Sequence, residues 1–63
     1  MRKTKAQKQL DKDIETFYYR HGQNVEISVL DIPKVYRDGH AAAAAGSSVE
    51  DAVIAAIARY RRN

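Results

Sequence analysis

Asn24-Val-Glu-Ile-Ser-Val-Leu30 decides how the rest of the chain is read. Val25, Ile27 and Val29 alternate with Asn24, Glu26 and Ser28, and a period of two with β-branched residues predicts a half-buried strand. No other stretch of the chain carries that signal. A lone strand leaves its backbone N–H and C=O groups unpaired, which is costly once they leave water. The expected remedy is pairing with a copy of the same strand in a second chain.

The flanking segments predict helices. From Thr4 to Arg20, Leu10, Ile14, Phe17 and Tyr18 fall on one helical face. No apolar stripe precedes Leu10, so the residues before it are expected to fray. His21-Gly22 ends this helix, with the glycine as a left-handed cap. Beyond the strand, Asp31-Ile-Pro33 opens a second helix with a capping side chain and an early proline. It runs through Val35, Tyr36 and His40 into Ala41–Ala45, an alanine block expected to be core. Gly39 inside it costs roughly 1 kcal/mol against alanine. Gly46-Ser47-Ser48 stops this helix and starts another, with Ser48–Asp51 or Ser47–Glu50 at capping-box spacing. Val49, Ala52, Val53, Ala56, Ile57 and Tyr60 then repeat at helical spacing, and Arg59, Arg61 and Arg62 suit the dipole of the last turn.

At 63 residues the chain is one small domain, for which burial alone is marginal. It has no cysteine, so neither disulfides nor thiolate metal sites can supplement the core, and oligomerisation is the expected supplement. His21 and His40 stand too far apart for zinc spacing, and no cofactor motif is present. No apolar run approaches the ~18 residues of a membrane span, which predicts a soluble, cytoplasmic protein. No nucleophile, base and orienting acid can be assembled, so catalysis is not expected. The net charge is +3, and its placement is uneven. Residues 1–23 hold six Lys/Arg against three Asp/Glu, whereas residues 24–63 hold five of each. That surplus favours an anionic partner, nucleic acid first.

Over residues 23–63 the order strand, helix, Gly46-Ser-Ser48 turn, helix resembles the ribbon-helix-helix family of bacterial DNA-binding repressors. The alternating Val25–Val29, Pro33 at a helix start, the G-x-S turn, and Asp51, Val53, Ala56, Ile57 and Tyr60 carry the likeness. The resemblance implies a homodimer with a two-stranded antiparallel ribbon and four core helices. Residues 1–22 would be a basic, partly helical extension of it. Val25, Ile27, Val29, Val53 and Ile57 would form the dimer core. Asn24, Glu26 and Ser28 would face base edges in the major groove of double-stranded DNA. Ser47 and Ser48 would hold a phosphate at a helix start. The implied function is a nucleoid-associated transcriptional regulator, chromosomal or plasmid-borne. Two features depart from the family pattern: the outward ribbon residues include no Lys or Arg, and the N-terminal extension is long. We therefore expect Arg2, Lys3, Lys5 and Lys8 to supply the phosphate affinity the ribbon lacks.

The alternative is an antitoxin-like module whose Leu10-Ile14-Phe17-Tyr18 stripe grips a partner protein. For Phe17, Tyr18 and Tyr19, packing is expected ahead of base stacking. His40 is expected to be a packed or surface histidine rather than a ligand.

Overall fold

The computed structural model describes residues 3–62. It contains three helices, α1 (Lys5–His21), α2 (Ile32–Ala44) and α3 (Val49–Tyr60), and no strand among the described residues. The expected ribbon-helix-helix architecture is therefore overturned. Residues 24–30 form a connecting loop whose only sheet-like pairing is a single antiparallel bridge between Ile27 and Arg61 of the same chain.

The loop's backbone shows why no ribbon is needed. Val25 N–H donates to Gly22 C=O at 3.2 Å, closing a turn at one end. Asp31 and Ile32 N–H both donate to Ser28 C=O, at 2.8 and 3.2 Å, closing another turn at the other. Between the turns, Glu26 C=O accepts from Arg62 N–H at 2.8 Å. The chain's own C-terminal backbone thus takes the place assigned to a second copy.

Helix α1 starts at Lys5, ahead of the apolar stripe, because Thr4 caps it. Gln7 N–H donates to Thr4 Oγ1 at 3.1 Å, and Thr4 N–H donates to Gln7 Oε1 at 3.0 Å. This reciprocal capping box satisfies two donors that a bare helix start would leave to water. The expected fraying before Leu10 is replaced by a capped first turn. At the other end Gly22 closes the helix through its N–H to Tyr18 C=O with φ −110°, not in the left-handed region. Asp31 precedes α2 without a side-chain cap, and its carboxylate pairs with Lys34 Nζ at 3.0 Å.

The α2–α3 turn follows the sequence expectation closely. Gly46 takes φ 75°, its N–H donates to Ala43 C=O at 3.1 Å, and Ser47 N–H donates to Ala42 C=O at 2.8 Å. Those two bonds form a Schellman motif, which needs a residue free to be left-handed. Ser48 then caps α3, its Oγ accepting from Asp51 N–H at 3.3 Å.

Ile14, Val35, Val53, Ala56 and Ile57 form the buried core, with Leu10, Phe17, Tyr18, Val25, Ile27, Tyr36, Val49 and Tyr60 packed around it. Val25 and Ile27 do face inward, as their alternation predicted. They pack, however, against the chain's own core, which holds Val53 and Ile57, and Val29 is 76% exposed, so the three do not form the shared apolar face expected of a ribbon. The alanine block is not core: Ala41 and Ala43–Ala45 are exposed, and Ala56 of α3 is the buried alanine.

Candidate nucleic-acid interface

Helix α1 buries one side and offers the other. Ile14 is fully buried, and Leu10, Phe17 and Tyr18 flank it against the core. Successive helical residues turn by about 100°, so Lys5, Lys8, Lys12 and Tyr19 fall within an arc of about 60° opposite Ile14. All four are exposed. Lys5 and Lys12 are separated by roughly 10 Å along the helix axis at ~1.5 Å per residue. None of the three lysines forms an ion pair with another described residue. Two acids border this surface, Glu15 at the edge of the arc and Asp11 further round the helix.

Other charges near α1 are already engaged. Lys3 Nζ lies 2.7 Å from Asp11 Oδ2, and His40 Nε2 lies 2.6 Å from Asp11 Oδ1. The hydrogen bond from Lys3, and then that from His40, holds the Asp11 carboxyl below its ordinary range. This cluster ties the start of α1 to α2. At the far end, Glu50 of α3 sits 2.8 Å from His21 Nε2 and 3.5 Å from Arg20 Nη1. The hydrogen bond from His21 is the main cause that keeps the Glu50 carboxyl low, with Arg20 adding to it. Burial raises the Tyr36 hydroxyl, with Glu15 and Asp11 adding to the effect.

The residues expected to touch DNA are scattered. Asn24 and Glu26 are exposed on the α1–α2 loop, while Ser28 is half-buried and spends its Oγ on Leu30 N–H at 3.3 Å. Ser47 is exposed, and Ser48 is committed to its cap. Glu50 and Asp51 add two carboxylates to that first turn, which oppose a phosphate there. Lys3, Lys5 and Lys8 are exposed, and Arg2 lies outside the described residues. Lys12 is a member of this face that the sequence reading does not include, and Tyr19, expected to pack with Phe17 and Tyr18, is instead exposed on it. Counting in steps of seven from Lys5 finds both.

Among the described residues no group of His, Cys, Asp or Glu is placed to hold a metal ion, and no helix is long and apolar enough to cross a membrane. Compared with known families, curated proteins and solved structures, the chain matches none.

Proposed function

We propose that the chain binds the phosphate backbone of DNA through the outward face of α1. The observation that carries this is the row Lys5, Lys8 and Lys12: exposed, on one face, and unpaired among the described residues. Phosphates recur every ~3.4 Å of axis along one DNA strand, so a row of roughly 10 Å spans about three of them. Such contacts give affinity without sequence information. The capped, packed helix holds its lysines at fixed spacing, which lowers the ordering cost of binding compared with a loose tail.

The partner-gripping alternative loses its main support. Its stripe, Leu10, Ile14, Phe17 and Tyr18, is spent on the chain's own core. Sequence-specific regulation would need base contacts beyond this face, and Asn24 and Glu26 are the exposed polar groups of the loop that could add them.

The test is a DNA titration over a range of salt. Each phosphate neutralised contributes about −0.9 to the slope of log affinity against log salt. Replacing Lys5, Lys8 and Lys12 together by glutamine, a good helix former, should therefore flatten the slope by roughly 2.7. The loss should be equal on any duplex sequence. An unchanged slope would move the DNA contact elsewhere or remove it.

A further inference from the structure

The lysine row ends on an aromatic ring that the fold does not bury. Tyr19 is 66% exposed, whereas its neighbours Phe17 and Tyr18 pack against the core. A tyrosine this exposed gains little from the hydrophobic effect where it stands, so its packing role is small. Its ring is nevertheless oriented. Tyr18 stacks beside it with centroids 6.2 Å apart and planes 17° from parallel, and Tyr18 is itself anchored on the core.

A cleft opens at this point, lined by Tyr18, Tyr19, Gly22 and Gln23, with a volume of about 330 Å³. That is roughly eleven times the share of one water molecule in the liquid, ~30 Å³. Gly22 lets the chain close tightly against Tyr18, since a Cβ there would stand 2.7 Å from Tyr18 C=O and 2.9 Å from the Tyr18 ring. Gln23 is exposed at the rim and carries both a donor and an acceptor. The adjacent cation, Arg20, is turned away towards Glu50 and the Phe17 ring. The cleft is thus aromatic and uncharged, and of its lining residues Tyr19 shares the helix face of Lys5, Lys8 and Lys12.

We propose that this cleft takes an unpaired nucleobase, stacked on Tyr19 and met at its edge by Gln23, while the lysine row follows the backbone leading to it. This deepens the DNA-backbone reading and rests on it: the preferred ligand becomes single-stranded nucleic acid. Stacking platforms beside a cationic track are the general means of holding single strands. Duplex DNA keeps its bases stacked on each other and can use only the lysines.

The test compares an oligothymidine strand, a blunt duplex and inorganic polyphosphate. Tyr19→Ala should weaken oligothymidine binding about tenfold and leave duplex binding within about twofold. The chain has no tryptophan, so Tyr19→Trp introduces a single indole reporter. Oligothymidine should quench its fluorescence, and polyphosphate, which offers charge without bases, should not. Equal quenching by both anions, or an oligothymidine affinity unmoved by Tyr19→Ala, overturns the base site and leaves the lysine row standing. Failure of the native chain to bind either duplex or single strand with any salt dependence overturns the backbone reading as well.

Discussion

Ile14 Cδ1 and Cγ1 stand 2.6 and 2.7 Å from the point where a Cβ on Gly39 would lie. Helix α1 approaches α2 over that missing side chain, and the contact lies against the buried core residue Val35. A mid-helix glycine costs about 1 kcal/mol relative to alanine, so propensity alone favours Gly39→Ala. Overpacking a filled core costs about 1–3 kcal/mol, and Ile14, the side chain that would have to shift, is fully buried. The clash wins. Gly39→Ala should destabilise by about 1 kcal/mol in denaturant unfolding. Ile14→Ala should cost about 2–5 kcal/mol alone. The double variant should be more stable than the sum of the two, because the new methyl fills part of the new cavity. Additivity would show that the helices do not meet there.

The two carboxylates that tie α1 to its neighbours predict the acid limb of stability. Asp11 and Glu50 are both held below their ordinary values, first by hydrogen bonds from Lys3 and His21 respectively. In the unfolded chain they titrate near about 3.9 and about 4.3. A folded carboxyl that titrates lower stabilises the fold at higher pH, and that stabilisation drains away as pH falls through its folded value. Unfolding free energy should therefore drop below roughly pH 4. Asp11→Asn and Glu50→Gln should each lower stability at neutral pH and flatten the acid limb. Both pairs are solvent-facing, so the neutral-pH loss should be small. An acid limb as steep in both variants as in the native chain would discount these ties.

Val29 and Ile27 separate the single-chain fold from a two-chain ribbon. Val29 is 76% exposed, and Ile27 packs on the core beside Val25. Val29→Ser should thus change stability by no more than about 0.5 kcal/mol. Ile27→Ser should cost well above that, since it removes packed apolar surface. In a ribbon both residues would be buried between chains and both substitutions would be costly. Thermal midpoints for both variants, taken at two protein concentrations, decide the matter.

Much of the helical framework was legible because its signals are local. Gly46 and Ser48 punctuate α2 and α3 as their residue types require, and Leu10, Ile14, Phe17 and Tyr18 face inward as their spacing demands. Thr4 and Gln7 also stand at capping-box spacing, a polar signal that apolar periodicity does not contain. Residues 24–30 show the limit of periodicity. The alternation of Val25 and Ile27 does mark inward side chains, yet a side-chain pattern says nothing about where backbone groups find partners. Ser28 C=O accepts two turn N–H groups, and Glu26 C=O accepts from Arg62, a residue 36 positions away. No local window contains that bond. The candidate site was half legible: Lys5 and Lys8 were in view, whereas the exposure of Tyr19 depends on which side of α1 the core occupies.

Placement of charge, rather than its amount, should govern the DNA interaction. Lys12 lies at the middle of the exposed arc with no acidic partner among the described residues, whereas Lys3 is held 2.7 Å from Asp11. Lys12→Gln should remove about 0.9 from the salt slope, the share of one phosphate contact. Lys3→Gln removes the same formal charge but should flatten the slope less, because Lys3 must leave Asp11 to reach a phosphate. Lys34, paired with Asp31 at 3.0 Å at the start of α2, serves as a control whose loss should leave the slope unchanged. Glu15 gives the opposite sign. It sits at the edge of the lysine row, so Glu15→Gln should tighten binding to every duplex without selecting a sequence. Four variants with single unit changes in charge should therefore order themselves by their place relative to the lysine row of α1. If they cluster by net charge alone, binding is a property of the whole molecule's field and the lysine row has no special role.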